Sequence, residues 1–166
     1  MTAQVRIGCS GWVYKHWRGV FYPKDLAQKR WFEFYSAEFD TVEINATFYR
    51  LQRASTFDKW RTQAPRDFLY AVKASRFITH MKKLKDMTGS ETPSEAVGRL
   101  AYLRFHGTGG KYHGRYGEAQ LRHYAEWLLK QRKAGRHAYA YFNNDIHGHA
   151  IEDARTLKSM VQRMRG

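Results

Sequence analysis

Asp40-Thr41-Val42-Glu43-Ile44 and Phe68-Leu69-Tyr70-Ala71-Val72-Lys73-Ala74 frame the stretch on which the fold turns. Both are short, rich in β-branched and aromatic residues, and bounded by turn formers, which is the signature of strands. Between them Ser55 stands as an N-cap, and Phe57 and Trp60 are spaced for a helix that stops before Pro65. Strand, helix, strand is a parallel βαβ unit. Upstream, Val5 to Ser10 alternates apolar and polar before Gly11, a first strand, and Ala27 to Glu38 carries Trp31, Phe34 and Tyr35 at helical spacing. Downstream, the pattern resumes with a strand over Leu100 to Phe105 and a helix over 118–133 that ends at Gly135. A further strand runs from Ala138 to Phe142, and a last helix from about Gly148 to Arg165. Alternation of this kind argues for an α/β fold with a parallel sheet. The segment between, Lys82 to Gly98, is basic and then polar and turn-rich, like a linker.

The chain has 166 residues, the size of one domain, and its hydrophobic (43%) and aromatic (16%) content excludes a disordered chain. No apolar run is long enough to span a bilayer, and no secretory leader opens the chain, so a cytoplasmic, membrane-free protein is expected. Cys9 is the sole cysteine, which excludes an internal disulfide and a cysteine-built metal site. Its place in the first strand suits a small buried residue. Lys and Arg total 29 against 15 acidic residues, a formal charge of +14. The excess is spread along the chain, so it belongs to the folded surface and favours polyanions, DNA or RNA above all.

Six stretches, in order, resemble one family. They are Cys9-Ser10-Gly11-Trp12; Trp17-Arg18-Gly19 through Phe21-Tyr22-Pro23; Val42 to Tyr49; Val72 to His80; Arg104-Phe105-His106-Gly107; and Tyr141 to Asp145. The family is the YecE-like group, domain of unknown function 72. The resemblance implies a TIM-type (β/α) barrel without an established activity, likened to barrels that act on nucleic acid, such as the endonuclease IV class. A (β/α)₈ barrel takes about 250 residues, so this chain reads as a reduced barrel of about five parallel strands with flanking helices. Residues 1–87 supply the first three βα units, 88–99 a linker in place of the central units, and 100–166 the last two. An open edge of such a sheet invites a second copy, a homodimer.

Function in parallel α/β folds gathers at the carboxyl ends of the strands. Glu43, Lys73, His106 and Asn143 stand there. Glu43 is a general base or metal ligand and Lys73 a phosphate anchor, or the two simply pair with each other; His106 is a site residue or a scaffold one. The glycines of 107–117 match no Walker or dinucleotide spacing. Close approach of a ligand is expected at Gly107. Asp145, His147 and His149 offer metal-ligand types at close spacing, but a helix cap at Asp145 followed by two solvated histidines explains them better. Cations Arg76, Lys82, Lys83, Lys85, Lys111 and Arg115, with Tyr112, Trp12 and Tyr49 and the further rim aromatics Tyr14 and Trp17, suit phosphate contacts and base stacking. Nucleic-acid binding at the rim is therefore the leading expectation, with metal-assisted phosphodiester chemistry as its extension. A site for a small phosphorylated or sugar-like ligand, or a non-catalytic truncated scaffold, is the alternative.

Overall fold

A computed structural model describes residues 2–50, 52–73, 95–97, 99–109 and 112–165. Five parallel strands appear where the alternation places them: β1 (Val5–Cys9), β2 (Thr41–Ile44), β3 (Leu69–Val72), β5 (Leu100–Phe105) and β6 (His137–Phe142). A sixth, β4 (Glu95–Val97), lies in the stretch read as a linker and pairs antiparallel with β5, Glu95 opposite Tyr102. Three residues are too few to show a period of two, so only the pairing reveals this strand. The strands form a four-stranded sheet, β1-β6-β5-β4, and a two-stranded sheet, β2-β3. The first and last strands are direct neighbours, Val5 opposite Ala138.

Among the described residues five α-helices flank the strands: α1 (Trp31–Glu38), a single turn α2 (Ala46–Tyr49), α3 (Ala54–Gln63), α4 (Glu118–Lys133) and α5 (His149–Arg165). Helix α3 begins one residue before the expected cap at Ser55. Arg53 occupies the cap position and makes no side-chain capping bond. Helix α4 ends as expected, with Gly135 at a φ of +76°, a conformation that favours glycine.

The pleat sorts the strand residues into two faces. Ile7, Cys9, Ala101, Leu103, Phe105, Ala138, Ala140 and Phe142 are buried, packed with Leu121, Ala125 and Leu128 of α4 and Ile151, Ala154 and Leu157 of α5. The alternate positions are polar. Thr41 Oγ1 and the Tyr141 hydroxyl are 2.7 Å apart, and Glu43 reaches Ser10, Tyr102 and Arg104. This polar face joins β2 to the larger sheet from the inside.

A second junction lies at the edges of β1 and β2. The fully buried Tyr35 of α1 places its hydroxyl between them, accepting the Cys9 N–H (2.9 Å) and donating to the Thr41 carbonyl (2.9 Å). Gly8 permits the approach, since a Cβ there would sit 2.3 Å from Thr41 O. Removing one hydroxyl would leave the buried Cys9 N–H without its partner, a penalty of about 1–3 kcal/mol. Tyr35→Phe should therefore lower the unfolding free energy by that amount in urea titration. An unchanged midpoint would contradict the hydroxyl's role in joining the strands.

Candidate functional site

The carboxyl ends of the parallel strands open into one cleft of about 580 Å³. Asn45 follows β2, Lys73 follows β3, Arg104 and His106 come from the end of β5, and Asn143 follows β6; all line it. Tyr14, Tyr49 and Tyr112 supply aromatic wall, and His16, Asp145 and His147 close the side near α5. Three of the four residues expected to carry the site, Lys73, His106 and Asn143, thus meet in one place. Asn143 Nδ2 lies 3.4 Å from His106 Nδ1, its amide N–H donating to the ring nitrogen.

Glu43 does not line the cleft but stands behind it, 2% exposed. Its carboxylate accepts from Ser10 Oγ (2.5 Å), the Tyr102 hydroxyl (2.6 Å) and Arg104 Nη2 (3.0 Å). Arg104 Nε is 2.9 Å from Oε1, close enough for an ion pair but out of line for a hydrogen bond. The expected pairing of Glu43 with Lys73 is therefore corrected. Register explains it: Glu43 sits opposite Ala71, and Lys73 lies beyond the end of the β2–β3 ladder. The carboxylate in turn pushes the Tyr102 phenol upward, behind desolvation as the larger cause.

Lys73 has a different environment. Its ammonium sits 3.9 Å from the centroid of the Phe48 ring, a cation–π contact. No carboxylate is within ion-pair distance of it among the described residues. Burial, and then Arg104, lower its pKa, only partly opposed by Glu43. An anion brought into the cleft would supply the missing counter-charge.

Asp145 occupies the expected N-cap position, ahead of the short 3-10 turn Ile146–Gly148, but its side chain makes no capping bond there. Instead Oδ1 accepts the Trp17 indole N–H (2.6 Å), and Oδ2 lies 2.8 Å from His16 Nε2. Desolvation pushes its carboxyl up to about 6, against the opposing pull of Trp17 and His16. Trp17 itself, expected at the rim, is wholly buried. No local pattern could have revealed this contact, which joins residues 128 positions apart.

The residues expected to bind nucleic acid divide. Tyr49, 73% exposed, and Tyr112 line the cleft. Trp12 does not: Phe32 and Trp60 meet its ring edge-on at 5.2 and 5.8 Å, and the packing uses it up. Arg115 pairs with Glu152 (3.0 Å) and approaches Asp153 (3.6 Å), lining a separate hollow between α4 and α5. Arg76, Lys82, Lys83, Lys85 and Lys111 lie outside the described residues. At Gly107 the close approach expected of a ligand is made by the chain itself, since a Cβ there would overlap His113 O at 1.9 Å. His147 is exposed at the cleft with a positive φ of 66°. Among the described residues no group of three or more His, Cys, Asp or Glu has the arrangement to hold a metal ion, and no helix is long and apolar enough to cross a membrane.

Comparison with known proteins agrees with the fold. A DUF72 family protein of Thermotoga maritima superposes with a TM-score of 0.82 at 19% identity, covering 96% of this chain and 99% of that one. A DUF72 family protein of Enterococcus faecalis gives 0.75 at 12% identity, covering 96% of each chain. The UPF0759 protein YunF of Bacillus subtilis is 35% identical over 75 residues, 45% of this chain but only 26% of that protein's length. The family model described as "Protein of unknown function DUF72" matches residues 6–97 and 86–166. Together those two segments take in nearly the whole sequence, and the chain belongs to the DUF72 family.

Proposed function

We propose that the rim cleft binds a phosphate-bearing ligand, and that single-stranded nucleic acid is its source. The observation that carries this is Lys73, a partly buried ammonium lining the cleft with no carboxylate at ion-pair distance among the described residues, beside an arginine already engaged by Glu43. The exposed ring of Tyr49 offers a stacking surface at the same mouth. The formal charge of +14 would draw a polyanion to it. Binding is the function that the anion-seeking ammonium and the exposed ring support.

The same proposal takes the architecture as a reduced (β/α) barrel. In its support, the first and last strands are paired, and four of the five parallel strands, β2, β3, β5 and β6, bring their carboxyl ends to one cleft. The two family matches overlap at 86–97, where the central units of a full barrel would be. The homodimer expectation rests on the outer edge of β3, which pairs with no strand among the described residues. A small phosphorylated ligand is the second reading. The cleft volume favours it, lying within the range of about 300–1,000 Å³ usual for small-molecule pockets.

Fluorescence anisotropy with labelled single-stranded and duplex DNA, titrated with salt, tests the proposal. Affinity for the single strand should fall steeply with salt, by about 0.7 in logarithmic slope for each phosphate neutralised. Lys73→Ala should remove about one such contact and flatten the slope. Tyr49→Ala should weaken binding by about 1–3 kcal/mol with the slope unchanged. A thermal shift with one phosphorylated compound, without DNA binding at any salt, would replace this reading with the second.

A further inference from the structure

We propose that His16 and Asp145 form the acid–base pair of the rim cleft and take up a proton as a phosphate-bearing ligand binds. This deepens the binding function proposed for the same cleft and rests on it. Both residues line the cleft. The carboxylate is held from the core side, where the buried Trp17 donates its indole N–H to Oδ1, while Oδ2 faces His16 Nε2 at 2.8 Å. His16 Nε2 is also 3.0 Å from the Asp145 backbone carbonyl. The imidazole is thus held through Nε2.

Charge balance makes the pair sensitive to its ligand. A carboxylate beside a neutral imidazole carries −1, whereas the pair with one more proton is neutral. In the first state it repels an incoming phosphate; in the second it does not. The groups around Asp145 do little to cancel its charge. Trp17 and His16 face it from the 3-10 turn Lys15–Trp17, Tyr14 from the residue before that turn, Cys9 from the end of β1, and Tyr22 from the following loop. Asp153 of α5 adds negative charge near Cys9, and Arg155 offsets it. Lys73, Arg104, His106 and Tyr112 also line the cleft, Tyr112 next to the turn through its carbonyl's bond from the Ile146 N–H, with His147 on that turn. Among the described residues only His16 lies within ion-pair distance of the carboxylate.

Burial raises the Asp145 carboxyl to about 6, so the proton lies within reach at neutral pH. An anion in the cleft raises it further. Affinity should therefore be greatest below about pH 6 and fall as the pH rises through that value, approaching tenfold per unit when one proton is linked. Single-stranded oligothymidine and the dinucleotide TpT are suitable probes, because neither their phosphodiesters nor their bases titrate in this range.

The experiment is isothermal titration calorimetry of the whole protein with each probe, in buffers of different ionisation enthalpy. Uptake of up to one proton per site is expected, rising between pH 6 and 7. Asp145→Asn should bind more tightly at neutral pH and lose both the uptake and the pH slope. Uptake that persists in Asp145→Asn but disappears in His147→Gln assigns the proton elsewhere and overturns the proposal; so does binding without uptake in the parent. The Trp17 indole N–H resonance judges the pair without any ligand, and should titrate near pH 6 in the parent and not in Asp145→Asn. A flat indole profile overturns the pair itself. If neither probe binds while the indole titrates, the binding function fails and the proton coupling falls with it, but the acid–base pair stands.

Discussion

A buried carboxylate tolerates few arrangements, and Glu43 sets the terms for the interior of this protein. Taken out of water, its oxygens must be supplied with donors, or the cost of burial exceeds anything the packing returns. Three residues provide them: Ser10 beyond β1, Tyr102 and Arg104 on β5. Because Glu43 itself belongs to β2, the network ties the two-stranded sheet to the four-stranded one. The hydroxyl of Tyr35 and the bare backbone of Gly8 then let β1 and β2 close along their edges. Hydrophobic burial on the helix-facing side supplies most of the driving force. The polar side decides how the two sheets meet.

That arrangement divides the cations of the cleft by role. Arg104 serves the network and presents what remains of its guanidinium to the opening. Lys73, at the end of β3, packs on Phe48, and among the described residues no carboxylate pairs with it. Asp145, in the same cleft, is held by Trp17 and His16, so the cleft combines an ammonium that has no ion-paired carboxylate among the described residues with a carboxyl whose pKa is raised. A ligand carrying negative charge would meet attraction from the one and a proton-dependent barrier from the other.

How far the sequence revealed this depends on the range of each interaction. Period-two runs such as Ala138 to Phe142 and the 3.6-residue spacing of helix α4 are local signals, and these elements stand where the spacing puts them. Glu95–Val97 is too short to carry a period and owes its form to pairing with β5. At the site, strand ends were legible and partners were not. Lys73, His106 and Asn143 converge because parallel strands deliver their carboxyl ends to one side. The cation that pairs with Glu43, Arg104, lies 61 residues away across the polar face and not on β3. Asp145 does stand at the N-cap position that the local motif suggests, but its side chain is held by an indole from the other end of the chain, which no local motif shows. Trp12 shows the remaining ambiguity: composition cannot distinguish an aromatic ring that stacks on a ligand from one that packs on Trp60.

The pairing of the first strand with the last has a consequence for how the protein is made. Val5 lies opposite Ala138, so β1 leaves the ribosome long before its partner is synthesised. At about 5–20 residues per second the delay is on the order of ten seconds. Until then the edge of β1 that β6 covers is open, and Ile7 and Cys9 lack the core neighbours that β6 and α5 supply. The β2–β3 pair forms early, but two strands alone are marginal in water. The nascent chain must remain an incomplete half-sheet until β6 emerges, and chaperones would find their binding site during that interval in the N-terminal part.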